Sequence, residues 1–187
     1  MPTSRSRRRR ADVVEAEIVG GVERRELVIA NYDPAWPAQY LDHEARIRQA
    51  LGDVVGVEHI GSTSVPGLGA KPIIDILVTV SDITAEEDYL EPLTAAGYEL
   101  RVREPGHRLV RTPARDVHIH LLEPDDPAAH DYLLLRDHLR TNRADRELYE
   151  NTKRDLTARE WPDMNAYADA KTEVIQAIKS RARTRTP

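Results

Sequence analysis

The stretch Ile73-Ile74-Asp75-Ile76-Leu77-Val78 constrains the fold more than any other, because a single carboxylate interrupts a run of large apolar residues. An apolar run of that length, rich in β-branched residues, reads as a central strand covered on both faces. Leaving a carboxylate unpaired in such a strand is costly. Asp75 must therefore meet water, a cation or a basic partner, in a cleft or in a structural ion pair.

The rest of the chain supplies elements to surround that strand. Leu27, Val28 and Ile29 make a short strand, and Asp33 with Pro34 pairs a side-chain cap with a first-turn proline, opening a helix to about Leu51. Trp36, Tyr40, Ile47 and Leu51 recur along it near helical spacing, forming a stripe that packs on a sheet. Val54 to Ile60 and Ile73 to Val80 read as two strands around a loop containing Gly and Pro. Thr84 to Ala96 predicts a helix ended by Gly97, and Tyr98 to Val102, Leu109 to Thr112 and Val117 to Leu122 predict strands. From Asp126 the pattern turns helical: Pro127 to Arg140, Ala144 to Arg159, and Asn165 to about Arg181. The fold class expected is α+β, a mixed sheet flanked by helices with a C-terminal helical segment over 126–182. The domain spans 26–182, with residues 1–25 as an Arg-rich flexible tail or partly ordered lead-in and 183–187 as a second tail.

Composition narrows the chemistry. With 187 residues and 40% hydrophobic content, one domain can bury a core. There is no Cys, which removes disulfides, thiolate metal sites and a cysteine nucleophile and fits a cytoplasmic chain. No run reaches the ~20 apolar residues that span a bilayer, so no membrane partner is expected. The formal net charge is −5, yet Arg5, Arg7, Arg8, Arg9 and Arg10 crowd the start. An acidic body argues against a broad nucleic-acid-binding face and leaves the Arg tail as the element suited to polyanions.

The loop from Gly61 to Pro72 leaves one strand and enters the next, carrying three glycines, several hydroxyls and free N–H groups. Such a loop can cradle a phosphate, with Ser62 offering both N–H and hydroxyl, or simply join two strands. Asp75 follows within the apolar strand, so the two signals reinforce each other. On the C-terminal helices, Tyr132, Arg136 and Arg140 fall at four-residue steps, as do Tyr149 with Lys153 and Tyr167 with Lys171. Turned toward the cleft, Arg136, Lys153 and Lys171 would make a basic wall for a triphosphate, with tyrosines for base or sugar contacts; turned away, their stems lie over the rings.

The run Glu58-His59-Ile60-Gly61-Ser62-Thr63-Ser64-Val65-Pro66-Gly67-Leu68, followed by Lys71-Pro72-Ile73-Ile74-Asp75-Ile76, resembles the GrpB-like family of the nucleotidyltransferase superfamily. The similarity extends through Tyr32 to Pro37, Gly97-Tyr98, His118-Ile119-His120, Leu135 to Arg140, Tyr149 to Lys153 and Ala170 to Glu173. It implies a nucleotidyltransferase-like fold, a nucleoside triphosphate and a divalent metal, Mg²⁺ or Mn²⁺. On that resemblance Gly61 and Ser62 hold the nucleotide phosphates and Asp75 and Ser62 are the candidate catalytic residues, while Thr63 and Lys71 of the same loop and Arg136, Lys153 and Lys171 of the basic wall are further candidate phosphate-binding residues. The superfamily usually sets a second carboxylate two residues beyond the first, where this chain has Leu77. The later strand carries His118 and His120 on one face instead, so Asp75, His118 and His120 form a candidate metal set suited to Mn²⁺ or Zn²⁺. The alternative is a non-catalytic module whose cleft holds a nucleotide or a coenzyme A precursor, because similar domains occur fused to dephospho-coenzyme A kinase.

Overall fold

The computed structural model describes residues 10–21, 28–52, 56–159, 161 and 164–185. Its centre is a mixed sheet of six strands: β1 (Glu17–Ile18), β2 (Gly56–Ile60), β3 (Ile74–Thr79), β4 (Glu99–Glu104), β5 (His107–Arg111) and β6 (Val117–Leu122). They lie in the order β1-β4-β5-β6-β3-β2, with β3 and β6 parallel and the other neighbours antiparallel. The apolar run around Asp75 is thus a central strand with a neighbour on each side.

Alternation along β3 divides the sheet's two faces. Ile74, Ile76 and Val78 join Val57, Val110 and Ile119 in the main core, beneath α1 (Trp36–Leu51) and α2 (Leu90–Ala95). Trp36 and Ile47 of α1 are buried there, and Tyr40 and Leu51 pack against them, as the helical stripe required. On the opposite face, Leu77, Ile60 and Leu122 pack with Ala129, Tyr132 and Leu133 of α3 (Pro127–Thr141). A further cluster joins Val65 and Leu68 of the loop after β2 to Leu139, Tyr149 and Ile178. It seats α4 (Arg143–Thr157) and α6 (Thr172–Arg185) over that loop, with α5 (Met164–Ala170) between them in the chain.

Several elements differ from the sequence expectation. The helix expected over Thr84 to Ala96 is a 3-10 turn at Glu86–Asp88 followed by the short α2, in a segment where Pro92 has no N–H to continue a longer helix. The strand expected at Leu27 to Ile29 reduces, within the described residues, to a bridge between Ala30 and Ala70, and Leu27 lies outside them. The last helix is two, separated at Lys171. Of the stretch read as tail or lead-in, residues 10–21 lie on the sheet's edge: Glu17 and Ile18 pair with Arg103 and Val102. Asp12 holds that arm, accepting from Arg108 Nη2 at 2.6 Å and from the Gly106 N–H. Arg10 pairs with Glu87 at 2.7 Å, while Arg5, Arg7, Arg8 and Arg9 lie outside the described residues.

Candidate functional site

β2 ends at Ile60 and the chain turns sharply through Gly61 into a 3-10 turn, Ser62–Ser64. Gly61 has φ 70 and ψ −174, a conformation open essentially to glycine alone, and a Cβ there would lie 2.6 Å from Asp75 Oδ2. The turn is therefore pressed directly against the carboxylate of β3. As the first residues of the turn, Ser62 and Thr63 present N–H groups that the turn itself cannot use. Ser64 Oγ donates to the Gly61 carbonyl at 2.6 Å, and the Arg140 guanidinium donates to the Ser64 carbonyl from Nε at 3.0 Å and Nη2 at 2.9 Å. Thr63 is a staple: its hydroxyl donates to the Ile73 carbonyl and contacts His59 Nε2, both at 3.1 Å.

α4 closes the turn from the other side. Lys153, 2% exposed, donates from Nζ to Ser62 Oγ at 2.9 Å and to the Gly69 carbonyl, and its ammonium lies 4.7 Å over the Tyr149 ring. Glu150 accepts from the Gly69 N–H at 2.9 Å. Burial and the nearby Lys171 ammonium push Lys153 down to about 7. Lys171, 4.4 Å over the Tyr167 ring, is also lowered by burial, against the pull of Asp75. A cleft of about 490 Å³ results, lined by Gly61, Ser62, Thr63, Lys71, Asp75, His118, His120, Lys153 and Lys171, with Tyr132, Tyr149 and Tyr167 among its walls. Three lysines and three tyrosines around an open groove suit an anionic ligand bearing a flat ring.

The strand register sets Asp75 beside His118 and Leu77 beside His120 on one sheet face. Asp75 Oδ1 is 3.5 Å from His120 Nε2 and 3.7 Å from His118 Nδ1. Burial raises Asp75, but the adjoining imidazoles of His120 and His118 and the Lys171 ammonium outweigh it and hold the carboxyl below its ordinary value. Burial pushes His118 down to about 4 against the attraction of Asp75. His59 is also pushed down to about 4 by burial; it lies on the opposite face, stacked on Tyr40 at 4.7 Å.

Ten positions were expected to contribute to the site, and nine of them line the one cleft. Arg136 is placed elsewhere: its guanidinium donates to Glu58 and Asp137, each at 2.7 Å, and to the His59 carbonyl, bracing α3 against β2. Helical spacing put it on the same face as Tyr132, but a long side chain with two carboxylates in reach turns toward them. Among the described residues no three His, Asp or Glu side chains converge closely enough to hold a metal ion by themselves. Asp75, His118 and His120 are adjacent without forming a closed three-ligand cage, so an ion here would need further ligands from water or phosphate. Leu77, where a second carboxylate would stand, is 1% exposed in the core, a donor set that does not fit paired Mg²⁺ ions. One carboxylate beside imidazoles fits a single softer ion.

Two neighbours of the cleft had no sequence reading. His107 Nε2 lies 3.2 Å from His120 Nδ1, and His107 Nδ1 lies 3.0 Å from Glu104 Oε2. The signal available for His107 was its alternation with Leu109 on the strand beside β6, which sets it on the His120 face. No helix among the described residues is long and apolar enough to cross a membrane.

Comparison with known proteins agrees with this architecture. The GrpB protein family matches residues 26–181. A UPF0157 protein of Streptomyces coelicolor is 63% identical over 180 residues, 96% of this chain and 97% of its own length. A crystal structure of the conserved protein GrpB from Enterococcus faecalis superposes with a TM-score of 0.73 at 32% identity, over 83% of this chain and 96% of that one. The MgGTP-bound Cid1 poly(U) polymerase shares the fold with a TM-score of 0.50 at 16% identity, over 71% of this chain and 45% of that one. A 70-residue stretch is 44% identical to a dephospho-CoA kinase of Mycolicibacterium paratuberculosis, covering 35% of this chain and 17% of the kinase.

Proposed function

The chain belongs to the GrpB family, and from that membership and its nucleotidyltransferase-like fold we propose that the cleft binds a nucleoside triphosphate, its phosphates held on the Gly61–Ser62 turn. The observation that carries this reading is the Lys153–Ser62 contact at 2.9 Å, which sets a buried cation beside a hydroxyl and turn N–H groups at the mouth of a cleft. Hydroxyl, ammonium and turn N–H groups together make a phosphate cradle, because each donates and none competes as a carboxylate would. Lys171 and Lys71 extend the positive wall, and Tyr132 and Tyr167 offer rings for the base or sugar.

On this reading the protein transfers a nucleoside monophosphate: an acceptor oxygen attacks the α-phosphorus, and the bond to the departing pyrophosphate breaks. A divalent ion at Asp75, with His120 beside it, would neutralise phosphate charge. The chain's own residues orient the ligand: Ser62 and Lys153 fix the phosphates, and the tyrosines exclude water from one side. A second reading, a binding module for a nucleotide or a coenzyme A precursor without transfer, is favoured by Leu77, whose burial leaves a single carboxylate on β3. The partial likeness to a dephospho-CoA kinase supports the same alternative.

Incubation with α-labelled nucleoside triphosphates and Mn²⁺, alongside calorimetric titration, separates the readings. Label transfer to an acceptor supports the enzyme, and saturable binding without transfer supports the module. Absence of saturable binding for nucleotides and coenzyme A precursors alike would remove both.

A further inference from the structure

Lys153 is a buried amine without a counter-ion. Among the described residues no carboxylate pairs with it, whereas the buried Lys179 holds Asp131 at 2.7 Å. Its Nζ meets two neutral oxygens instead, Ser62 Oγ at 2.9 Å and the Gly69 carbonyl. The charges that act on it are Lys171, which opposes its own, and Glu150 and Arg154 of the same helix, which pair with each other at 2.8 Å. Taking a lone ammonium out of water is costly, so such an amine either sheds its proton or receives an anion. A bound phosphate meets the second condition; without one, the first gives Lys153 and Ser62 a different chemistry.

A neutral lysine keeps two N–H groups and gains a lone pair. One N–H stays on the Gly69 carbonyl. The 2.9 Å separation that an ammonium spans by donating to Ser62 then lets the Ser62 O–H donate to the lone pair. Burial, with Lys171 adding to it, holds the amine at about 7, so both forms are populated at neutral pH. Desolvation beside a second cation is one of the ways in which a lysine is activated for chemistry. Ser62 lines the cleft and opens the turn after β2, and its own N–H and that of Thr63 belong to the same turn.

We infer that Ser62 is a nucleophile and Lys153 its general base, and that the cleft, when no phosphate occupies it, hydrolyses carboxylic esters of small uncharged acids. Ser62 Oγ adds to the ester carbonyl while its proton passes to Lys153 Nζ. The tetrahedral oxyanion has the turn N–H groups and Lys171 as available donors. Collapse breaks the bond to the alkoxide, which leaves as the alcohol with the proton from Lys153. Water then attacks the acyl-Ser62 and gives its proton to Lys153, and the acid departs as Ser62 Oγ takes that proton back. An ester suits the pair better than a phosphoryl group, because its carbonyl carries no charge that would hold Lys153 as the ammonium. Tyr132, Tyr167, Ile29 and Ile175 supply apolar wall for the acyl group.

Two probes on the full chain test it: a fluorophosphonate, which marks activated serines, and p-nitrophenyl acetate. A covalent adduct mapped to Ser62 and a burst of p-nitrophenol are expected. Adduct formation should quicken as pH rises and level off once Lys153 is neutral, whereas an unassisted hydroxyl keeps accelerating. Ser62→Ala should lose both signals. Lys153→Arg keeps the positive charge but cannot accept the proton, so labelling should fall about 100-fold or more. In the parent chain, inorganic pyrophosphate should slow labelling by holding Lys153 protonated. A parent chain with no Ser62 adduct, a labelling rate without a plateau, or a Lys153→Arg chain labelled as fast as the parent overturns the inference. Nucleotide binding measured on the same preparation is a separate readout, so the ester chemistry and the nucleotide site can fail independently.

Discussion

Gly61 and Asp75 stand so close that a single methyl group on the glycine would lie 2.6 Å from the carboxylate oxygen. The backbone at Gly61, φ 70 and ψ −174, is also one that side chains resist. Gly61→Ala is therefore expected to lose about 1–3 kcal/mol of stability from backbone strain, with a further loss from displacing Asp75. Urea unfolding of the two proteins measures it, and an alanine variant as stable as the parent would show that the turn can move freely off the strand.

Asp75→Asn keeps size and removes charge. Because the folded environment favours the ionised carboxyl, some stability is lost, but the larger expected effect is on metal-dependent ligand binding, at least tenfold weaker, about 1.4 kcal/mol. Calorimetry with and without Mn²⁺ distinguishes the two. A variant that fails to fold while the parent binds no metal would make Asp75 a structural ion-pair partner instead.

Lys153 gives the chain a pH signature. Its folded value of about 7 lies below the unfolded 10.5, so between those values the unfolded chain holds more protons, and stability rises with pH across that window. Read downward, stability present above pH 10.5 is lost as pH falls toward 7. Lys153→Met should flatten part of this slope, while Lys171, shifted the same way, keeps the remainder. Denaturation at pH 7.5 and pH 9.5, values chosen to lie within that window, supplies the comparison; equal slopes in parent and variant would contradict a depressed Lys153.

Phosphate beside Lys153 should favour the ammonium and so draw in a proton at mildly alkaline pH. Binding heats for inorganic pyrophosphate measured in two buffers of different ionisation enthalpy should then differ. Buffer-independent heats would place the bound anion away from Lys153.

Asp12 is expected to matter for stability although it lies far from the cleft. Arg108 is 2% exposed and divides its guanidinium between Asp12 and Glu86, each at 2.6 Å. Asp12→Ala leaves Glu86 as the remaining carboxylate on that cation, a loss of about 1–3 kcal/mol. Hydrogen exchange should quicken at Val19, whose N–H donates to the Arg101 carbonyl next to the β1–β4 pairing. Unchanged exchange there would mean that the arm docks without Asp12.

Legibility in the sequence followed the range of the interactions. β6 was readable residue for residue, because Val117, Ile119 and Leu121 alternate with His118 and His120. Asp75 was conspicuous because its neighbours are apolar, and Ser62, Lys153 and Lys171 were carried by turn chemistry and helical spacing. The arm at residues 10–21 was not legible as an edge strand, since what holds it is Asp12 on Arg108, a pair remote in sequence that no local pattern encodes. Arg136 shows the converse: its spacing located its helix face, and the choice of Glu58 over the cleft was made by a strand edge that spacing does not see. The chain Glu104–His107–His120 combined both difficulties, a hairpin contact followed by a diagonal one across strands.

The parallel seam between β3 and β6 carries Asp75 on one side and His118 and His120 on the other, with α2 and the β4–β5 hairpin intervening in the chain. Hairpins close over short loops early, whereas a seam of this span forms only after a longer stretch of chain has been gathered. A folding intermediate in which the β2–β3 pair and the β4–β5–β6 meander exist apart would hold much of the sheet while Asp75 still stood away from His118 and His120. Ligand or metal uptake followed in time during refolding should consequently lag behind the gain of strand signal.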